Sequence, residues 1–450
     1  MHTTDMEAPV PIADSAERPT RVRYMLLAVA TANAFLLYLD RICMGAVVQS
    51  ASFQKELGLS KDRVGDALAA FFLAYALGQL PAGYLADRFG PRKMLVVYIL
   101  LWSCCTALTG LATGLAMLIG MRLACGLSEA GAYPASARVI KRWFPFAQRA
   151  RASSAVSFGG RIGLAIALWL TAVILVALGS WRPVLWIYGA IGLFLAAASW
   201  HVFRSDPASH PWTNAAERAY ISGGEPPEAP VAYRFPWREL LSHRGLWMLN
   251  LASFGSNFGW AFLVTWLPSY LTEVRGLDDV TAGRYVSIAL IAGMAGILFG
   301  GWWCDALTRW CGPIWGRRLP FIVGAAISMA AYLVCPLLGS PVAVAVAAGV
   351  VAFAADTMNP AVWALGQDIG GNHAAVTLAW SNMWGNFGAS AISRLIPFVL
   401  ASSFHWADRR EVFWICSCGF ALICVSILFV DSTKPLHDPD AAQIKPETTT

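Results

Sequence analysis

Long apolar stretches dominate this 450-residue chain. A membrane-spanning helix needs about 20 mostly apolar residues, and hydropathy predicts twelve such spans. The predicted spans are 24–46, 64–86, 94–112, 114–137, 153–178, 183–203, 246–271, 283–304, 319–338, 341–366, 376–401 and 412–430. The stretch between the sixth and seventh spans is rich in proline, glycine and charge, which is typical of a linker. We therefore expect an all-α integral membrane protein with twelve transmembrane helices in two six-helix bundles.

The composition excludes several other classes of protein. Only 13% of the residues are charged and 57% are hydrophobic, with a mean hydropathy of +0.55, whereas a soluble globular protein carries about 25% charged residues. This excludes an ordinary soluble enzyme and a disordered scaffold. The net charge of +6 is spread over short basic clusters between apolar stretches. We therefore expect the protein to lie in the lipid bilayer and to bind no nucleic acid.

The distribution of lysine and arginine predicts the orientation. With both termini in the cytoplasm, the inside segments hold 21 of these residues and the outside segments hold 8, which satisfies the positive-inside rule. The predicted units are a cytoplasmic N-terminal tail (1–23), a first six-helix bundle (24–203), a cytoplasmic linker (204–245), a second six-helix bundle (246–430) and a cytoplasmic C-terminal tail (431–450).

A short motif occurs at the same place in both halves. GYLADRFGPRK (83–93) follows the second span, and GWWCDALTR (301–309) with GRR (316–318) follows the eighth. Such a repeat fits a duplicated transporter whose halves rock around a central site. Each aspartate can cap a helix of the other bundle or pair with a basic residue, which would lock one conformation. The candidate gating residues are Asp87, Arg88, Arg92 and Asp305. A plain basic turn is the alternative, and it is favoured for the second copy taken alone.

The first copy of this motif resembles the loop motif of the major facilitator superfamily. Further segments resemble its anion:cation symporter family, whose members carry organic anions such as sugar acids. These segments are YLDR (38–41), RLACGLSEAGAYPASARVIKRWFP (122–145), DPASHPWTNAAER (206–218), FGWAFLVTWLPSYL (258–271) and DTMNPAVWALGQDIGG (356–371). The resemblance covers about residues 22–430 and implies the major facilitator fold.

Ionisable residues inside predicted spans are functional candidates, because placing a charge at bilayer depth is costly. The resemblance implies that Arg41 binds the substrate carboxylate, that Asp40 takes part in proton coupling and that Glu129 is a protonation site. It also matches Tyr75 and Asn386 to substrate contacts, although a lone tyrosine in a span is often only a packing residue.

The other polar residues of the spans leave alternatives open. Arg122 shares a helix face with Glu129 and is either a ligand or a structural partner. Arg161 either makes a further carboxylate contact with the substrate, snorkels towards the membrane surface or pairs with Glu129. Asn382 shares a face with Asn386 and could bind sugar hydroxyls.

Two further groups complete the candidates. Asp356 precedes Pro360, which suggests a broken helix with a gating role, and Arg394 is its candidate partner as lock or ligand. In the seventh span Asn257, Trp260 and Trp266 could offer a polar contact and a stacking surface, but for the two tryptophans a place at the membrane interface is favoured.

The sequence thus predicts a proton-coupled symporter of an organic anion, working by alternating access. It would lie in the cell membrane, in bacteria the inner membrane, and function as a monomer. A drug or metabolite:proton antiporter of the same superfamily is the alternative. An integral-membrane enzyme is disfavoured, because the chain has no hydrolase, zinc-protease or P-loop motif and no histidine cluster. A sensor is disfavoured because no segment resembles an appended signalling domain. We therefore expect no cofactor and no metal, with H+ as the coupling ion.

Overall fold

The computed structural model describes residues 17–223, 235–402 and 410–436, and these form helices and connecting turns without a β-strand. The first half contains α1 (Val22–Val47), α2 (Ala51–Leu57), α3 (Lys61–Phe89), α4 (Pro91–Thr109), α5 (Leu115–Glu129), α6 (Ala132–Trp143), α7 (Arg149–Leu178) and α8 (Arg182–Val202). The segment between the halves contains α9 (Ala215–Ser222) and α10 (Trp237–Ser242). The second half contains α11 (Arg244–Thr265), α12 (Leu267–Glu273), α13 (Asp279–Val334), α14 (Pro341–Gly370), α15 (Ala374–Ser402) and α16 (Arg410–Ile427).

Most of these helices have the length and composition of membrane spans. Eight helical stretches of the described chain are long and apolar enough to cross a bilayer, and two of them, with 58 and 53 residues, are long enough to cross it twice. The helix α13 contains one of these double crossings, because Gly312 has φ 78° and ψ 174° and divides it into two legs. The fourth predicted span consists of α5 and α6, and the seventh consists of α11 and α12.

One local expectation is wrong. Pro360 does not break its helix, since α14 runs without interruption from Pro341 to Gly370. Proline removes one backbone hydrogen bond and strains the preceding turn, but neighbouring helices stabilise such sites in membrane proteins. Asp356 therefore lies on a continuous helix.

The two bundles repeat the same packing. In the first bundle, α1 packs on α7 and α3 packs on α5. In the second, α11 packs on α15 and α13 packs on α14. Close approach depends on glycine in both halves: a Cβ added to Gly163 would overlap the carbonyl oxygen of Phe35, and one added to Gly388 would overlap that of Phe254. Contacts of α3 with α15 and of α7 with α13 join the bundles.

The segment between the bundles packs against the start of α1. Glu217 of α9 accepts hydrogen bonds from the backbone amides of Val22 (3.3 Å) and Arg23 (3.2 Å) and forms a salt bridge with the Arg23 guanidinium (3.0 Å). It thereby satisfies backbone groups that the first turn of a helix leaves unpaired. We call the end of the molecule at which residues 203–223 and 235–243 lie the linker side, and the opposite end the far side.

Candidate functional site

A cavity of about 200 Å3 lies between the two bundles, near the middle of the spans. Aromatic rings and polar groups both line it. From the first bundle it receives Tyr38, Tyr75, Tyr133, Ser157 and Arg161; from the second it receives Ser253, Ser256, Asn257, Trp260, Asp356, Asn359, Trp363, Ser381 and Asn382. Polar side chains from both bundles thus converge on one cavity beside aromatic rings, as in a site for a small polar ligand. The volume is below the range of about 300–1,000 Å3 for drug-sized ligands, so the cavity suits a small molecule.

An ion pair crosses this cavity from one bundle to the other. The Nη2 atom of Arg161 on α7 donates to both carboxylate oxygens of Asp356 on α14, at 2.9 and 3.2 Å. The Trp260 ring lies 4.4 Å from the guanidinium carbon of Arg161, a distance at which a cation–π contact is favourable. The expectations that Arg161 pairs with Glu129 and that Trp260 lies at the membrane interface are therefore wrong.

A second ion pair lies inside the first bundle. Arg41 of α1 donates from Nε (3.1 Å) and Nη2 (2.9 Å) to one carboxylate oxygen of Glu129, at the end of α5. Three rings surround the guanidinium, with centroids 4.4 Å (Tyr75), 5.1 Å (Tyr38) and 5.4 Å (Phe71) from its central carbon. Tyr38 and Tyr75 also line the cavity, whereas Arg41 and Glu129 do not. The pair is therefore separated from the cavity by two tyrosine rings.

Asp40 and Arg122 are buried close to this second pair. The Asp40 side chain is 1% exposed, and neither of its carboxylate oxygens has a hydrogen-bond partner among the described residues. Arg122 is 2% exposed and donates to the Cys125 sulfur at 3.3 Å. Neither residue lines the cavity. An unpartnered buried carboxyl group is costly when charged, and a role for Asp40 in proton coupling stays a prediction.

The predicted amide ligands occupy different positions. Asn382 lines the cavity and donates to the Gln79 side chain at 3.0 Å, which connects α15 with α3 of the other bundle. Asn386 donates to the backbone carbonyl of Asn382 at 3.0 Å, within its own helix, and does not line the cavity. Tyr75 lines the cavity and contacts Arg41.

On the linker side, Asp87 at the end of α3 binds the second bundle. Its carboxylate accepts from the backbone amides of Ala375 (3.1 Å) and Val376 (2.8 Å), in the first turn of α15, and lies 3.2 Å from the Arg138 guanidinium. A carboxylate at a helix N-terminus is stabilised by the unpaired amides and the helix dipole. This contact joins the two bundles.

Asp305 makes the corresponding contact in the reverse direction. It accepts from the amides of Ala150 (3.2 Å) and Arg151 (2.9 Å), in the first turn of α7. Arg317 lies 3.4 Å from Asp305 and 3.0 Å from Asp368, and Asp368 pairs in turn with Arg149 of the first bundle at 2.8 Å. The second copy of the motif is thus more than a basic turn, since it repeats the interbundle cap of the first.

The basic residues of the first motif contact their own bundle. Arg88 donates to the Tyr84 hydroxyl at 2.8 Å, and Arg92 donates to the carbonyl of Trp200 at 2.7 Å. A gating role for Arg88 and Arg92 stays a prediction. The Arg394 side chain lies outside the described part of the chain, and the partner of Asp356 in the structure is Arg161.

Several residues of the site were not singled out from the sequence. Tyr38 and Arg41 are three positions apart, and Tyr75 and Gln79 are four apart, so each pair shares a helix face. That spacing could have indicated Tyr38 and Gln79 once Arg41 and Tyr75 were chosen. Tyr133 and Trp363, which contact each other edge to face at 5.1 Å, stand in apolar contexts without such a signal.

Comparison with known proteins identifies the family. The sequence model of the Major Facilitator Superfamily matches residues 30–393. A protein of Cupriavidus necator named "Probable sulfoacetate transporter" is 30% identical over 426 residues, covering 93% of this chain and 96% of its own. A protein of Escherichia coli named "Probable L-galactonate transporter" is 28% identical over 447 residues, covering 97% and 96%.

Solved structures show the same fold. The fucose:proton symporter of E. coli superposes with a TM-score of 0.71 at 15% identity, covering 91% of this chain and 100% of that one. The proton:xylose symporter XylE gives a TM-score of 0.68 at 16% identity, covering 92% and 98%. These matches confirm the major facilitator fold. The chain therefore belongs to the Major Facilitator Superfamily of membrane transporters.

Proposed function

We propose that this transporter imports a small organic anion of the sugar-acid class together with protons, across the bacterial cell membrane. The observation that carries the proposal is the Arg41–Glu129 pair, in which one carboxylate oxygen takes two donors of the guanidinium. A substrate carboxylate needs those same donors. Protonation of Glu129 would release Arg41, so binding of a proton and binding of the anion would favour each other.

Three features support this coupling. Arg41 lies behind Tyr38 and Tyr75, both of which line the cavity, so a shift of these rings would admit a substrate carboxylate. Arginine binds a carboxylate with two parallel hydrogen bonds. Asp40, buried and unpartnered on the same helix, offers a second place for the proton. Relatives named as transporters of sulfoacetate and L-galactonate support an anionic substrate.

Alternating access would use the contacts on the linker side. Asp87 and Asp305 each hold the first turn of a helix from the opposite bundle. We propose that these caps hold the linker side closed, and that they break when the bundles rock to open it. The excess of arginine and lysine in the predicted inside segments favours the linker side as the cytoplasmic one.

The test is uptake of labelled D-galactonate and galactarate into proteoliposomes that contain the full chain. An inside-alkaline pH gradient should drive accumulation, and a protonophore should abolish it, whereas a sodium gradient alone should not drive uptake. Accumulation that persists after collapse of the proton gradient would contradict proton symport. Uptake driven by an inside-acidic gradient would instead support the antiporter.

A further inference from the structure

The Arg161–Asp356 pair lines the cavity, whereas the Arg41–Glu129 pair does not. Asp356 occupies a single nitrogen of the guanidinium, Nη2. Among the described residues, neither Nε nor Nη1 of Arg161 has a hydrogen-bond partner. Arginine carries five N–H donors, so this side chain still offers unused donors beside the cavity.

We propose that Arg161 and Asp356 form a second anion subsite and that the transported substrate is a small dianion. Its second acidic group, a carboxylate or a sulfonate, replaces the Asp356 carboxylate on Arg161. This inference rests on the proposed function, in which the first carboxylate goes to Arg41. It makes the number of negative charges, rather than the pattern of hydroxyl groups, the main determinant of specificity.

The exchange of one carboxylate for another is energetically reasonable. A buried guanidinium that loses its only counter-ion pays a large desolvation cost. Here the substrate oxyanion supplies a new counter-ion as Asp356 leaves. The Asp356 side chain is only 9% exposed, so its displacement requires water in the cavity that it lines.

The position of Tyr38 indicates how one small molecule would reach both arginines. Its ring lies 5.1 Å from the Arg41 guanidinium carbon, and it lines the same cavity as Arg161. The two guanidinium groups therefore lie near one shared tyrosine, with Arg161 at the cavity and Arg41 behind the ring. A monoanion satisfies one of them, whereas a dianion that extends past Tyr38 satisfies both.

The exchange also alters the contact between the bundles. Arg161 belongs to α7 of the first bundle and Asp356 to α14 of the second, so their ion pair ties the bundles together at the cavity. A dianion that takes Arg161 breaks this tie, and a monoanion bound only at Arg41 leaves it in place. The second acidic group thus links occupancy of the cavity to movement of the bundles.

The test compares two six-carbon acids that differ only at C6: galactarate carries a carboxylate there and D-galactonate a hydroxymethyl group. Sulfoacetate shows whether a sulfonate serves as the second group. Binding to the purified full-length protein is measured by calorimetry. We expect wild type to bind galactarate more tightly than D-galactonate, and Arg161→Gln to weaken galactarate by about 10- to 150-fold, the range for loss of one hydrogen bond to a charged group.

Two further variants separate a ligand role from a structural one. Arg161→Gln leaves Asp356 uncompensated, so Arg161→Gln/Asp356→Asn replaces the ion pair by a neutral pair, and it should also lose the preference for galactarate. Asn382→Ala is the matched control, because it removes an uncharged cavity contact and should weaken both acids equally.

Three results would overturn the inference. They are a wild-type protein that binds neither dianion more tightly than D-galactonate, equal losses of both six-carbon acids in the Arg161 variants, and an unchanged preference for galactarate in the neutral pair. D-Galactonate binding that depends on Arg41 would persist in each case if the proposed function holds. Failure of that dependence would instead count against the proposed function.

Discussion

The molecule places two arginine–carboxylate pairs in the membrane, and their surroundings differ. Arg41 and Glu129 lie within one bundle, enclosed by aromatic rings, whereas Arg161 and Asp356 join two bundles across a cavity. In the rocking movement that we propose, the first pair stays within its bundle while the distance across the second changes. The first pair is therefore suited to bind a proton or a ligand. The second pair can form only when the two bundles are close together at the cavity.

The largest effect is expected from Glu129→Gln, which mimics the permanently protonated acid. Accumulation driven by a proton gradient should be lost, because the site can no longer take up and release a proton. Exchange of substrate across the membrane should persist, since Arg41 is free. Proteoliposome uptake and counterflow measure the two activities separately.

Glu217→Gln is a control for this variant, because Glu217 is also a buried glutamate paired with an arginine, but on the linker side. Gradient-driven uptake by any Glu217→Gln protein that folds should remain. Full accumulation by Glu129→Gln would sink the coupling role of Glu129 and transfer it to Asp40.

The next effect is loss of substrate binding in Arg41→Ala and Arg41→Lys. Lysine keeps the charge but not the planar fork that binds a carboxylate through two hydrogen bonds. Arg41→Ala also leaves Glu129 buried without its partner, which typically costs about 3–5 kcal/mol of stability. Arg41→Ala/Glu129→Gln should recover much of that stability without recovering binding. Near-normal affinity in Arg41→Ala would defeat the assignment, and thermal unfolding shows whether each variant folds.

Double-mutant cycles would sharpen the contrast between the two pairs. Removing each partner singly and together gives the coupling energy of a pair. The enclosed Arg41–Glu129 pair should show about 2–3 kcal/mol, close to the values for charge-assisted hydrogen bonds. The Arg161–Asp356 pair should show a smaller coupling energy, because it faces the cavity and its side chains are more exposed, at 17% and 9% against 11% and 2%. Equal coupling energies would mean that the cavity does not screen the second pair.

The spans of the fold could be predicted from sequence because each depends on a local property, the length of an apolar stretch. The contacts of Asp87 and Asp305 with the opposite bundle could also be predicted, because a motif repeated at equivalent places implies equivalent contacts. The continuity of the helix at Pro360 could not be predicted, because local propensity suggests a break, whereas packing around α14 keeps the helix continuous.

The partners of the intramembrane charges could not be predicted in the same way. Helical spacing indicates which residues share a face, but it does not say which helix that face meets. Arg41 and Glu129 are 88 positions apart, and Arg161 and Asp356 are 195 apart. Their pairing follows from the packing of α1 near α5 and of α7 near α14, which only the folded chain defines.

The smallest effect is expected from the two asparagines of α15, and it tests whether the cavity seen here contains the substrate contacts. Asn382→Ala should weaken binding by about 2- to 12-fold, the range for one neutral hydrogen bond, because Asn382 lines the cavity. Asn386→Ala should change affinity by less, because that side chain bonds to its own helix. Calorimetry with one acid measures both variants. A greater loss for Asn386→Ala would show that Asn386 reaches the substrate only after the bundles move. The substrate contacts would then form in a conformation other than the one in which Arg161 pairs with Asp356.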